Sequence, residues 1–355
     1  MPQWLAAALA AGASDIHLGA GQPPAARVDG TIQRLNPEPL SAQNMEDLLA
    51  ALMSRADREA FARYGDLDMA IDEAATGRRF RVHAYRNHLG AALALRPIPR
   101  RVPGWADLRL PPAAESFTRS GRGLVLVTGP TGSGKSSTLA AMVDSINRQR
   151  ACHILSLEDP IEYIFEPAMA LVNQREIGRD AADFESGLRA ALRSDPDVIL
   201  VGEMRDLEAI RLALRAAETG HLVLSSLHTV SAAKTMDRIL DVFPAGDKDT
   251  VRAQLATVLR GIISQVLLPK IDGGRVAAFE VLLATPAVRN LIREKQMHQI
   301  PSMMQLGQRQ GMQTLQDDIA RLVDSGTVRA ADAEWAIGAG SEAEGRDQTV
   351  GSRRI

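Results

Sequence analysis

The stretch Leu124-Val-Leu-Val-Thr-Gly-Pro-Thr-Gly-Ser-Gly-Lys135-Ser136 constrains this chain more than any other. A β-branched run that breaks into G-x-x-x-x-G-K-[ST] demands a strand, a tight loop and a helix in that order. Gly129, Gly132 and Gly134 let the backbone curl until successive N–H groups face inward, a geometry that receives phosphate oxygens. Lys135 then reaches the β- and γ-phosphates and Ser136 offers its hydroxyl to Mg2+, while the helix predicted from Ser137 to Gln149 adds its positive end. The cradle comprises Gly129, Pro130, Thr131, Gly132, Ser133, Gly134, Lys135, Ser136 and Ser137. It marks an ATP site and leaves open what work the nucleotide drives.

Composition narrows the classes. A chain of 355 residues, 45% hydrophobic, is long enough for two domains with sizeable cores. A net charge of -2 argues against a protein that coats nucleic acid by bulk charge, so no nucleic-acid partner is expected. One cysteine, Cys152, permits neither an internal disulfide nor a cysteine-based zinc site and suits a reducing cytoplasm. The apolar stretch Trp4 to Ala13 is too short to span a bilayer and lacks the basic flank of a signal peptide, so neither a transmembrane nor a targeting segment is expected.

Two regions differ in pattern. Up to about Pro99 the sequence predicts a short helix (Pro2 to Gly12), strands at Asp15 to Leu18 and Ala25 to Leu35, and a helical stretch from Ser41 to Tyr64. Strands follow at Leu67 to Asp72, Arg79 to Asn87 and Gly90 to Pro97, giving a small α+β module. The segment Pro97-Ile-Pro-Arg-Arg-Val-Pro103 reads as a stiff linker. Beyond it strands and helices alternate through Leu222 to Leu227, the α/β manner of a P-loop ATPase core. After Ser231 the pattern turns mostly helical, interrupted by a strand at Arg275 to Leu283, and residues Ala339 to Ile355 are polar and Gly-rich, a disordered tail by composition.

In a parallel sheet the ligand sits beyond the carboxyl ends of the strands. Three predicted strands end in useful residues: His153 to Leu157 runs into Glu158-Asp-Pro-Ile-Glu162, Val198 to Val201 into Gly202-Glu203, and Leu222 to Leu227 into His228-Thr229. Hydrolysis requires a carboxylate to position water in line with the γ-phosphorus while Mg2+ offsets the growing charge. Glu203 takes that role, and Glu162 completes the water and Mg2+ shell through a second water. Asp197 lies about 20 Å from Glu203 at roughly 3.3 Å per strand residue, so it belongs at the strand entrance. His228 is placed to sense the γ-phosphate or to link it to the neighbouring subunit.

With Ser156-Leu-Glu-Asp-Pro-Ile-Glu-Tyr163, Val201-Gly-Glu-Met-Arg-Asp206 and Thr219-Gly-His-Leu-Val-Leu-Ser-Ser-Leu-His-Thr229 added to the phosphate loop, the chain resembles the secretion ATPases, most closely the type IV pilus retraction ATPases. Matches at Ala13-Ser-Asp-Ile-His-Leu18, Arg27-Val-Asp-Gly30, Arg79-Phe-Arg-Val82 and Gly311-Met-Gln-Thr314 extend the likeness from about residue 13 to 325. The resemblance implies an α/β fold: a PAS-like N-terminal domain (1–98), a linker (99–110), and a RecA-like ATPase domain with C-terminal helices (111–338), ahead of the tail (339–355). It implies a homo-hexamer with ATP sites between the two domains. Arg81 and Arg96, with Arg86 as a third, would come from a neighbouring or rotated N-terminal domain to the triphosphate, where arginine holds phosphoryl oxygens bidentately.

Three observations favour retraction over extension. Ala287-Val-Arg-Asn-Leu-Ile-Arg-Glu294 resembles the retraction family's Ala-Ile-Arg-Asn-Leu-Ile-Arg-Glu helix, no extra N-terminal domain is expected, and one cysteine cannot build the tetracysteine zinc module of the extension and type II secretion ATPases. On that helix Val288, Leu291 and Ile292 share an apolar face while Arg289, Arg293 and Glu294 point elsewhere. Ser137 stands where the family has Thr, which leaves Ser136 intact. The implied setting is cytoplasmic and peripheral at the inner membrane, docked on the platform protein of a type IV pilus machine, with an accessory retraction ATPase as a further partner. The rival readings are a pilus-extension or type II secretion assembly ATPase, a DNA-transport motor, which the charge disfavours, and an ATP-gated accessory scaffold.

Overall fold

The computed structural model describes residues 3–28, 30–73, 77–98, 101–204 and 206–341. These form two compact units, one of Met1–Arg101 with Pro160–Ile164, the other of Val102–Asp159 with the chain from Phe165 onward.

The first unit is a six-stranded antiparallel sheet of β1 (Asp15–Gly19), β2 (Ala25–Val28), β3 (Thr31–Arg34), β4 (Asp66–Glu73), β5 (Arg78–Asn87) and β6 (Gly90–Ile98), in the order β3-β2-β1-β6-β5-β4. Strand alternation puts Phe80, Val82, Ala84, Leu93 and Leu95 on the buried face, in one core with Met45, Leu49 and Phe61 of the helices. Arg79, Arg81, His83, Tyr85 and Arg96 take the other face. The single strand expected over 25–35 is two strands. The helical stretch expected over 41–64 is likewise two helices, Ala42–Leu52 and Arg55–Tyr64. Ser54 causes that break: its hydroxyl accepts from Asp57 N and the Asp57 carboxylate accepts from Ser54 N, a reciprocal cap that starts a new helix. β6 continues into the expected linker because Pro97 pairs only with Phe80 of β5, while β1 pairing ends at Leu95. The proline's missing N–H therefore costs no bond to β1. Residues 99 and 100 of that linker lie outside the described residues.

The second unit holds a seven-stranded sheet: β7 (Gly123–Thr128), β8 (His153–Glu158), β9 (Leu171–Glu176), β10 (Val198–Val201), β11 (Leu222–Leu227), β12 (Leu259–Pro269) and β13 (Arg275–Leu283), ordered β13-β12-β7-β11-β10-β8-β9. Every neighbouring pair is parallel except β12 with β13. β9 and β12 were not expected. β9 is an edge strand of mixed, largely polar residues (LVNQRE) held by its ladder to β8, so no alternation announces it. β12 is apolar on both faces, and such a run cannot be told from a buried helix by periodicity. Helices Pro286–Arg293, Ile300–Leu306, Leu315–Asp324 and Ala330–Ser341 follow β13. The last one carries residues 339–341, assigned by composition to the tail, as helix; residues 342–355 lie outside the described residues.

Helix Pro286–Arg293 begins at a Thr285 cap, with Pro286 in its first turn, and buries Val288, Leu291 and Ile292 as the sequence pattern expects. Arg289, off that apolar face, is tied to neighbouring backbone. Its guanidinium turns inward and donates to the carbonyls of Ala284 (2.8 Å), Thr257 (2.6 Å) and Leu259 (2.9 Å), with a longer bond to Ala256 (3.3 Å). The Ala256 and Thr257 carbonyls lie in the last turn of helix Lys248–Val258, where an α-helix leaves carbonyls without an intrahelical partner. Arg289→Leu is expected to lower unfolding stability by about 1–3 kcal/mol, and Arg289→Lys to recover only part, because one ammonium cannot serve carbonyls in several directions. Denaturant unfolding of the three proteins measures this.

Candidate active site

Parallel register decides what meets at the site. Thr128 pairs with Leu227, Val201 with Ser225, and Val201 with Leu157, so β7, β8, β10 and β11 end along one edge of the sheet. The residues that follow these strands are the phosphate loop, Asp159, Glu203 and His228. Serines of β11 fix the Glu203 turn: Ser226 Oγ donates to Gly202 O at 2.6 Å, Ser225 Oγ donates to Val201 O at 2.7 Å, and Gly202 N donates to Leu157 O at 2.8 Å. Asp197 sits at the opposite end of β10, where its carboxylate accepts from His153 N.

The loop from Gly129 to Ser136 opens helix Lys135–Gln149. Gly129 has φ 147°, and a Cβ there would lie 2.2 Å from Gln265 O, so only glycine fits. The Ser133 hydroxyl is buried with no hydrogen-bond partner, while Thr131, Gly132 and Ser136 face solvent. A positive helix end, an inward hydroxyl and an exposed loop fit a triphosphate. Among the described residues no group of three or more His, Cys, Asp or Glu is gathered for a metal. Mg2+ held by Ser136, waters and phosphate oxygens needs no such group.

Lys135, Glu203 and His228 form one hydrogen-bonded chain. Lys135 Nζ donates to the carbonyls of Gly129 (2.9 Å) and Pro130 (3.0 Å) and stands 3.4 Å from His228 Nδ1. An ammonium has no acceptor, so Nδ1 accepts and the ring proton of a neutral imidazole resides on Nε2. That nitrogen lies 3.0 Å from Glu203 Oε1 and donates to it. The imidazole thus links the phosphate-loop lysine to the carboxylate that follows β10.

The remaining expected residues are placed as follows. Glu158 accepts from Ser156 Oγ (2.6 Å) and Gln174 Nε2 (3.1 Å), which anchors the end of β8, and Asp159 is exposed. Within the first unit Arg81 and Arg96 are cross-strand neighbours on one face. Arg81 lies 3.7 Å from Glu162, and Arg96 donates twice to Asp15 Oδ1, at 2.8 and 3.0 Å. Arg86 is on the opposite face, its guanidinium 5.1 Å above the Phe61 ring, because it lies an odd number of positions along β5 from Arg81. Burial works against ionisation of Asp15, yet the hydrogen bonds from Arg96 and Ser14 more than offset it, and its carboxyl titrates below the ordinary value.

One buried carboxylate beside the site escaped sequence reasoning. Glu280, on β13 beside Ser264, is 9% exposed and accepts from Ala232 N at 2.6 Å, with further bonds from the Ser264 hydroxyl and Leu315 N. Ala232 and Leu315 open helices Ala232–Asp241 and Leu315–Asp324, so this side chain faces two positive helix ends. Burial nonetheless pushes its carboxyl above the usual glutamate value. Ser264 accepts in turn from Thr128 at 2.9 Å, which carries the network to the residue before Gly129. A buried glutamate on an apolar strand was the available signal.

A phosphate loop at the carboxyl edge of a parallel sheet, with its lysine joined through histidine to a glutamate on the next strand but one, defines a P-loop ATPase. The family model for "Type II/IV secretion system protein" matches residues 2–334, and the chain belongs to that family. It is 50% identical over 317 residues to the type IV pilus retractation ATPase PilT of Pseudomonas aeruginosa, covering 89% of this chain and 92% of that protein. It is 48% identical over 306 residues to a twitching motility protein of Neisseria gonorrhoeae, covering 86% and 82%. A crystal structure of the pilus retraction motor PilT with bound ADP matches at a TM-score of 0.87 and 45% identity, over 95% of this chain and 97% of that one.

The Asp15–Arg96 pair has a defined pH signature. A carboxyl whose folded value is depressed stabilises the fold above its unfolded value, about 3.9, and loses that contribution as pH falls through the folded value. Asp15→Asn is therefore expected to lower the melting midpoint at pH 7, with the difference from wild type shrinking as pH drops below about 4. Melting curves from pH 7 to 2 check the sign.

Proposed function

We propose that this protein is a hexameric ATPase motor that hydrolyses ATP to power type IV pilus retraction. The observation that carries the reading is the Lys135–His228–Glu203 chain at the mouth of an intact phosphate loop, in a protein similar along most of its length to the retraction ATPases. The two units correspond in this reading to PAS-like and RecA-like domains. Residues Gly129 to Ser137 hold ATP, and Lys135 meets the β- and γ-phosphates. Glu203 orients the attacking water and draws on its proton, while His228 Nε2–H keeps that carboxylate aimed. Mg2+, held by Ser136 and through water by Glu162, would supply charge stabilisation at the phosphates.

Arg81 and Arg96 supply guanidinium charge to a neighbouring subunit's triphosphate. Support comes from their shared face and from their carboxylate partners, Glu162 and Asp15, which phosphate oxygens could replace. Among the described residues no helix is long and apolar enough to cross a membrane. By likeness to the retraction ATPases, the proposed setting is the cytoplasmic side of the inner membrane, bound through a platform protein of the pilus machine, with an accessory retraction ATPase as a second partner.

Purified Glu203→Gln should lose about 10²–10⁴-fold in kcat, the usual contribution of a positioned acid–base group, while ADP affinity changes little. Arg96→Gln, which keeps an N–H for Asp15, should fold normally and lose most hydrolysis; full turnover in that variant removes Arg96 from the mechanism. In cells, deletion of the protein should leave excess, non-retracting surface pili that the wild-type chain but not Glu203→Gln corrects. Rescue by Glu203→Gln would favour a scaffold, and loss of pili on deletion would assign the protein to assembly.

A further inference from the structure

Gln265 lies on β12 beside the phosphate loop, outside every motif quoted above, and is 2% exposed. Both ends of its amide are engaged. Nε2 donates to the Ser133 carbonyl at 2.6 Å, and Oε1 accepts from the Thr138 hydroxyl at 2.8 Å. The Ser133 carbonyl belongs to the same peptide unit as Gly134 N–H, and a trans peptide holds those two groups on opposite sides. A carbonyl tied back to β12 therefore fixes the direction of Gly134 N–H. The same residue also sets the space under the loop: a Cβ at Gly134 would approach its Nε2 to 3.2 Å, as one at Gly129 would its backbone oxygen.

We propose that Gln265 is a positioning residue for nucleotide binding, holding the Ser133–Gly134 peptide turned so that Gly134 N–H faces the phosphates before ligand arrives. The inference deepens the nucleotide-site reading and rests on it. A buried amide needs hydrogen-bond partners wherever it lies. Here its partner is the loop's own carbonyl, and reversal of that peptide would replace a phosphate donor by an oxygen that repels anions. Thr138, one turn into helix Lys135–Gln149, holds the amide in the correct sense: its hydroxyl donates to Oε1, which leaves Nε2 for Ser133.

Calorimetric titration of the full chain with ADP and Mg2+ tests the proposal, alongside melting of the nucleotide-free proteins. Gln265→Glu keeps the shape but sets a carboxylate oxygen against the Ser133 carbonyl; Gln265→Met keeps the volume and removes both bonds, and it carries the test should the first fail to fold. Each is expected to weaken ADP binding at least about tenfold, more than its melting midpoint explains, because a donor to a charged group is misaimed. ADP affinity within about threefold of wild type in the folded Gln265 variants, with only the nucleotide-free midpoint lowered, would make the residue structural and overturn the proposal. Failure of the wild-type chain itself to bind ADP would instead overturn the nucleotide-site reading.

Discussion

Parallel pairing of β7 between β11 and β12 is the constraint from which the site follows. All six residues from Gly123 to Thr128 are buried, and Leu124, Val125, Leu126 and Val127 each contribute about 1.5–3 kcal/mol by leaving water. A strand embedded this way cannot slip by one residue without exchanging the side chains on its two faces, so its register is strongly specified. Register fixes where β7 ends, and therefore where Gly129 begins. The phosphate loop, set between the strand before it and the helix after it, takes a positive φ at three glycines, a conformation open to glycine without steric cost. Glu203 and His228 reach Lys135 for the same reason: β10 and β11 end in step with β7.

The elements that carry a chemical signature were legible in the sequence, and those that act only through packing were not. Gly129 to Ser136 announce themselves because phosphate binding requires those residue types in that order. Glu203 and His228 follow once strand ends are located. β12 left no such trace, since Ile262, Ile263, Val266 and Leu268 are buried on both faces and read equally well as helix. Gln265 and Ser264 were hidden with it, although both touch the groups that build the loop. Helical spacing set Arg289 off the apolar face of its helix but cannot register carbonyls arriving from the end of helix Lys248–Val258. Nor could spacing show that Pro160–Ile164 belongs to the first unit, because that grouping arises from tertiary contact.

Surroundings, more than residue type, separate the arginines of this chain. Arg289 bonds only to backbone carbonyls, so moving it would remove hydrogen bonds from several acceptors at once. Arg81 and Arg96 pair instead with carboxylates, at side-chain exposures of 37% and 65%. Ion pairs that open to water contribute about 0–1 kcal/mol, which makes them easy to exchange. A triphosphate offers more charge and more oxygens than either carboxylate, and a guanidinium can grip it with two parallel bonds. Asp15 and Glu162 thus hold the two arginines oriented at little cost, and under the proposed function their exchange for phosphate would be a means by which nucleotide favours one arrangement of an assembly over another.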